Sequence, residues 1–420
     1  MAVTGHALGI DFGTSNSAAG YLCDGKPRLI EMSPGRTTLP TTFFFDFETR
    51  QTLMGDPANQ ALLDGLDGRF MRALKRVLGT SVMHEKRHIL NQSVTFVEII
   101  ARFLSQIKTR AEAQTGLRFD RALSGRPVVF HGIDDPRETQ AAADLRACYL
   151  AAGFSDVDFM PEPEAAAIAN GALDHAGEIG LIVDIGGGTS DFSLFQSGAH
   201  GVTIMASHGV RIGGTDFDRA INIDRVMPLL GKGTQLRKLF GPGASPVPGA
   251  IFNDLATWEK IPFVYTAQNR RMVDEMTRLA HEPEKMARLA AVLRDELGHD
   301  LAFAVERGKI AANGGDAGSA IALHQIAPGL VAPLSSDALN AVLAPFAMLL
   351  RDGAHETLRR ADLNPAQVNR VIYVGGSSLM SMVSDTMKAL FPDAGHSFAD
   401  VFTAVADGLS VASAPGRGNA

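Results

Sequence analysis

Cysteine is scarce: Cys23 and Cys148 are the only two in 420 residues. That excludes a disulfide framework and a four-cysteine zinc site, and it fits a reducing compartment. No run of 18 apolar residues offers a membrane-spanning helix. A basic excess is also missing, since Lys and Arg number 39 against 46 Asp and Glu, for a net charge of −7. This argues against nucleic-acid binding through a broad basic surface. The opening stretch, Met1 to Gly9, has neither a basic flank nor a long apolar run, so no secretory leader is expected. Together these absences predict a cytoplasmic protein with no membrane and no nucleic-acid partner. What remains is 45% hydrophobic and 20% charged, as in a soluble globular chain, and long enough for two lobes.

The most informative feature present is a repeat. The apolar run Ala7-Leu8-Gly9-Ile10 leads into Asp11-Phe12-Gly13-Thr14-Ser15-Asn16-Ser17, and a second strand signal follows at Gly20-Tyr21-Leu22. About one lobe further on, Leu181-Ile182-Val183 leads into Asp184-Ile185-Gly186-Gly187-Gly188-Thr189-Ser190-Asp191, followed by Phe192-Ser193-Leu194-Phe195. Strand signals on both sides of a Gly/Thr/Ser turn predict two β-hairpins. A P-loop or a dinucleotide-binding turn would instead run from a strand into a helix.

Such hairpins suit a polyphosphate. Glycines let backbone N–H groups approach phosphate oxygens, and the Thr and Ser hydroxyls add donors. An aspartate closing each leading strand, Asp11 and Asp184, puts a carboxylate where hydrated Mg²⁺ would sit, an ion that keeps several waters and takes few direct protein ligands. One glycine-rich turn is as readily an ordinary hairpin; two matched copies favour the phosphate reading. A third signal is the strand run Val371-Ile372-Tyr373-Val374, ending in Gly375-Gly376-Ser377-Ser378 before helical spacing over Leu379 to Leu390. Its bare glycines can admit a purine.

In this order the three signals resemble the actin, sugar kinase and heat-shock 70 superfamily. Gly9 to Ser17 is similar to the first phosphate segment of the heat-shock 70 family, including an Asn16-Ser17 ending that actins and sugar kinases lack. Ala73-Leu74-Lys75-Arg76, Glu162-Pro163-Glu164-Ala165-Ala166-Ala167, Gly213-Gly214-Thr215-Asp216-Phe217-Asp218, Glu306-Arg307-Gly308-Lys309 and Val374-Gly375-Gly376-Ser377 extend the likeness from Gly9 to about Ser413. It is nearest to a truncated, YegD-like branch without a peptide-binding domain. The resemblance implies an α/β, actin-like ATPase fold of duplicated ribonuclease H-like lobes around a nucleotide cleft. Lobe I is expected over 1–173 with a return segment at about 398–413. Lobe II is expected over 174–397 with a helical cap at about 221–310, and 414–420 reads as a disordered tail.

The resemblance also implies roles. Lys75 is expected to position the attacking water, with Glu162, Asp184 and Thr189 completing the catalytic set. Glu162 would order the water and metal shell, and Asp11, Asp184 and Asp191 would meet Mg²⁺. Gly13, Thr14, Ser15, Asn16, Gly186, Gly187, Gly188, Thr189, Gly213, Gly214, Gly375, Gly376 and Ser377 would line ATP or ADP. Glu306 and Lys309, three apart on one helix face, would reach the ribose. Without the family, Lys75 reads as a solvated helix residue, Glu162 as a surface-loop carboxylate and Glu306–Lys309 as an exposed ion pair.

Departures qualify the likeness. Where family members sandwich adenine between two arginines, this chain has Ile310 and Leu379, so an aliphatic slot replaces guanidinium stacking. An acidic residue expected near Phe402 is missing, and His131 to Pro136 reads as an insertion after Pro127. Gly241 to Gly249 is a breaker-rich loop, Glu282 to Leu297 a charged amphipathic helix and Trp258 a buried anchor of the cap, set against a partner-binding hot spot. His84-Glu85-Lys86-Arg87-His88 matches H-E-x-x-H. With two cations inside the motif and no third ligand nearby, it reads as a solvated polar segment. The expected function is a slow Mg²⁺-dependent ATPase acting as a chaperone-like switch, with an unidentified client or co-chaperone. The alternatives are a non-catalytic ATP-gated scaffold and, third, a small-molecule kinase.

Overall fold

The computed structural model describes residues 6–131, 135–198, 201–238, 241–316, 318–398, 400 and 403–413. The chain divides into two compact units, Met1–Val210 with Asp352–Leu379 and Met387–Ala420, and Arg211–Arg351 with Met380–Thr386. The lobe boundary expected at 173/174 therefore falls inside the first unit, and the expected cap at 221–310 lies within the second.

The first unit carries two sheets with the same plan. In one, strands Asp156–Pro161, Arg121–Arg126, Ala7–Phe12, Asn16–Cys23 and Lys26–Leu29 lie side by side in that order. In the other the order is Gly395–Phe398, Arg370–Val374, Ile179–Ile185, Ser190–Ser197 and Val202–Val210. Each sheet has its first three strands parallel and its last two joined antiparallel as hairpins. The sequence repeat is thus a repeat of topology as well. The leading strands occupy sheet centres, where Leu8, Ile10 and Phe12, and likewise Leu181, Val183 and Ile185, are fully buried. Such apolar runs are what a strand covered on both faces requires.

Two short helices pack beside these sheets. Helix Ala404–Ala412 lies so close to the first sheet that a Cβ on Gly9 would stand 2.8 Å from the Leu409 carbonyl carbon, and one on Gly20 2.5 Å from Ser410 Oγ. It also crosses helix Glu162–Ala169, where a Cβ on Gly408 would fall 1.8 Å from the Ala165 carbonyl oxygen. Ala165, Ala166 and Ala167 join Ile182, Ile372, Val374 and Leu409 in one buried cluster. Small residues let the two helices approach this closely. A longer helix, Phe96–Thr115, starts with a Thr95/Glu98 capping box and ends on left-handed Gly116, the termini that cap chemistry favours. Its Ile100, Phe103, Leu104 and Ile107 enter the core of the first sheet.

The second unit is mainly helical. The expected helix over Glu282 to Leu297 is Pro283–Arg294, burying Met286, Leu289, Val292 and Leu293. The expected Gly241–Gly249 loop contains a strand, Ala244–Pro246, paired with Gln235–Arg237. Cross-strand backbone bonds there outweigh the breaker composition. Trp258, expected to be buried, is only half-buried; it sits edge-on against His299 and Phe303, with ring centroids 4.8 and 5.2 Å away. Among the described residues no helix is long and apolar enough to cross a membrane. The closing residues 414–420, Phe402 and the central residues 132–134 of the suspected insertion lie outside the described residues.

Candidate functional site

Both glycine turns are hairpins. In the first, Phe12 pairs with Ser17 around Gly13-Thr14-Ser15, and Asn16 opens the return strand. A Cβ on Gly13 would come within 2.1 Å of the Asn16 carbonyl oxygen, so only glycine fits. The loop is held from outside by the Thr41 amide, which donates to the Ser15 carbonyl at 2.8 Å, and by a 2.8 Å hydroxyl contact between Ser17 and Thr41. In the second, Ile185 pairs with Ser190, and the Gly186 amide donates to the Thr189 carbonyl at 2.9 Å. The two tips meet: a Cβ on Gly187 would stand 2.9 Å from Ser15 Oγ.

The third segment abuts the second hairpin. Strand Arg370–Val374 runs parallel to Ile179–Ile185, with Val374 opposite Asp184. Gly375 then turns with φ of 80°, and a Cβ there would stand 2.6 Å from Asp184 Oδ1 and 2.5 Å from the Ile185 carbonyl oxygen. Left-handed backbone and close approach both demand glycine. Gly376, Ser377 and Leu379 belong to a single 3₁₀ turn, Gly376–Leu379, so the helix expected from Leu379 begins at Ser381 instead.

Around these turns a charged cluster forms. Lys75 sits on a one-turn 3₁₀ helix, Leu74–Val77, entered through Ala73 in left-handed backbone at φ 58°. Glu162 opens its helix between Pro161 and Pro163, a placement in which a proline in the first turn loses no helical bond. Lys75 Nζ donates to Glu162 Oε1 at 2.5 Å, and the two side chains are only 9% and 17% exposed. Neither is the solvated residue that its local sequence suggests. Burial pulls the Lys75 ammonium down, but attraction to Glu162, Asp11 and Asp184 outweighs it and raises the pKa.

The carboxylates respond in the opposite sense. Burial, then repulsion from Glu162, pushes Asp11 up to about 7 despite the opposing pull of Lys75. Asp184 is driven well above the carboxylate range by burial and by Asp191, Glu162 and Asp11. Asp191 is an exposed residue, yet desolvation of its carboxyl and repulsion from Glu162 push it up to about 6, against a hydrogen bond from Thr189 and the pull of Lys75. Four carboxylates thus share one lysine, and full ionisation leaves excess negative charge in a poorly hydrated place. A divalent cation would relieve it. No three acidic, histidine or cysteine side chains among the described residues are grouped closely enough to hold a bare ion.

The remaining expected nucleotide residues belong to the second unit, apart from exposed Leu379. The Gly213 amide is taken by Asp216 Oδ2 at 3.0 Å, capping helix Gly214–Ile221. Lys309 is buried in a 2.8 Å ion pair with Asp218, whereas Glu306 and Ile310 on the same helix are exposed. The sequence motif gave no hint of Arg76's placement: it reaches the second hairpin, where a Cβ on Gly188 would overlap a guanidinium nitrogen at 1.6 Å. Bare glycine there leaves room for the arginine. The H-E-x-x-H segment is not helical, since His84 caps a 3₁₀ turn and Arg87–Ile89 is a strand. His84 instead bonds to buried Asp144 at 2.9 Å, so the segment is not merely solvated.

Two sheets of the same strand order, each presenting a hairpin turn, with a glycine turn laid against the second, define the actin-like fold. The Hsp70 protein family model matches residues 7–227, more than half of the chain, and the chain belongs to the Hsp70 family. It is similar to the Chaperone protein DnaK of Nitrosopumilus maritimus, 26% identical over 97% of this chain and 56% of the relative. The Chaperone protein DnaK of Methanothermobacter thermautotrophicus is 35% identical over 53% of this chain and 36% of the relative. That of Ureaplasma urealyticum serovar 10 is 33% identical over 51% of this chain and 34% of the relative. The chain therefore spans between about a third and a little over half of the curated relatives it matches.

Proposed function

We propose that this chain binds Mg-ATP in the cytoplasm and slowly hydrolyses it, using the nucleotide as a chaperone-like switch. The observation that carries this reading is the buried Lys75–Glu162 pair beside Asp11, Asp184 and Asp191, where two hairpin tips meet. The backbone amides and hydroxyls of Gly13 to Asn16 and Gly186 to Thr189 would hold the phosphates. Bound Mg²⁺ would neutralise phosphate charge and separate it from the carboxylates. Lys75, kept protonated by Glu162, would orient the attacking water and offset charge growing on the γ-phosphate. Arg76, beside Gly188, would add a second cation on that side. Gly375 and Gly376, with the aliphatic surface of Leu379, would take the base.

The test is phosphate release from Mg-ATP without an acceptor, run beside a panel of sugars. Hydrolysis without acceptor is expected, and Lys75→Ala should lower turnover at least about tenfold while ATP still binds. Turnover only with a sugar would make the protein a kinase. Binding without turnover would make it an ATP-gated scaffold.

A further inference from the structure

Asp144 is a buried carboxylate that the proposed chemistry does not use. Its side chain is 1% exposed, at the centre of helix Arg137–Ala151. Three donors converge on it: the Gly79 amide on Oδ2 at 2.8 Å, and His84 Nε2 and Gln140 Nε2 on Oδ1 at 2.9 and 2.7 Å. Gly79 lies four residues beyond Lys75, in left-handed backbone at φ 79°. A Cβ on it would stand 2.6 Å from the Arg137 carbonyl oxygen and 3.0 Å from His131 Nε2. The preceding carbonyl, of Leu78, accepts from His131 Nε2 at 2.6 Å. The stretch following Lys75 is therefore stapled to His131 and to helix Arg137–Ala151 through both ends of one peptide group, the Leu78 carbonyl and the Gly79 amide, and again through His84.

This arrangement matters because the lysine's own turn is short. Leu74–Val77 is one 3₁₀ turn entered through left-handed Ala73, and so brief a turn has little rigidity of its own. The charge-assisted bond from the Gly79 amide to a buried carboxylate restrains the backbone just beyond that turn. We propose that Asp144 is a positioning residue for Lys75: by holding Gly79, and through His84 the segment beyond, it fixes where the lysine turn meets Glu162. The inference rests on the hydrolytic reading of the site. It assigns the H-E-x-x-H histidine a structural partner in place of a metal, and gives helix Arg137–Ala151 a direct mechanical link to the Lys75 turn.

The test uses the whole chain and single-turnover hydrolysis at saturating Mg-ATP. Asp144→Asn keeps volume and one acceptor, and should lower the hydrolysis rate about three- to tenfold while ADP affinity stays within about twofold. His84→Ala removes one donor from the exposed side, leaves the core intact and should produce a smaller loss of the same kind. The decisive readout is a cycle with Lys75→Ala. In that background Asp144→Asn should cost little further, because a positioning residue acts only through the group it positions. Equal losses with and without Lys75, or loss of ADP binding in step with rate, would mean that Asp144 only supports the fold and would overturn the inference. If Lys75→Ala itself leaves the rate unchanged, the hydrolytic reading fails first, which separates the two claims. Unchanged rates in both Asp144→Asn and His84→Ala, with Lys75→Ala impaired, would overturn the inference alone.

Discussion

A lysine beside a glutamate is ordinarily a surface pair of little consequence; at Lys75 and Glu162 burial changes its meaning. The pair lies among Asp11, Asp184 and Asp191, whose proton affinities are all raised by burial and by repulsion from Glu162. Each carboxylate is in place to respond to a cation more than to a neutral ligand. Asp184→Asn should therefore weaken Mg-ATP at least about tenfold and leave metal-free adenosine nearly untouched. Calorimetric titration of both ligands decides the matter, and equal losses would reduce Asp184 to a structural role. Gly375 depends on the same carboxylate, since its missing Cβ is what lets the turn lie against Asp184 Oδ1.

Among the elements, the crossing of helices Glu162–Ala169 and Ala404–Ala412 has the least tolerance. Glycine inside a helix normally weakens it by about 0.5–1 kcal/mol relative to alanine, so Gly408→Ala would be stabilising on propensity alone. Here the added Cβ would fall 1.8 Å from the Ala165 carbonyl oxygen, a rigid backbone atom that cannot swing aside. Overpacking of this kind costs about 1–3 kcal/mol and should win. Gly408→Ala is expected to lower the denaturation midpoint and, by shifting the helix that begins with Glu162, to slow hydrolysis as well. A variant more stable than the parent would show that the two helices separate freely.

For the whole molecule, the raised carboxyls make stability depend on pH. Asp11 at about 7 and Asp191 at about 6 lie above the unfolded value of about 3.9. The folded protein thus holds protons that the unfolded chain has released. Without nucleotide or metal, stability should be greatest below about pH 4 as far as these groups are concerned, and decline as pH rises to about 7. Mg²⁺ favours their ionised forms, so the rise in Tm on adding Mg²⁺ should be larger at about pH 8 than at about pH 5. Thermal scans at both values, with and without the ion, measure it. An equal gain at both would count against these carboxyls as the metal's neighbours.

Residue order alone carried the hairpins, the glycine turn after Val374 and the duplicated plan, because each depends on turn chemistry and alternation over a few neighbouring residues. It also carried the family, through motifs spread along the chain. It could not carry contacts that join distant segments. Lys75 looks solvated beside Arg72 and Arg76 until burial against Glu162 is seen, and Arg76 has no local reason to meet Gly188. His84 reads as part of a solvated polar segment, yet its partner is Asp144, on a helix far along the chain. The neighbours of half-buried Trp258, His299 and Phe303, come from another helix. Local backbone preferences are written in adjacent residues; burial, charge coupling and close approach exist only once distant segments share a space, and it is these that turn two glycine hairpins into a candidate site.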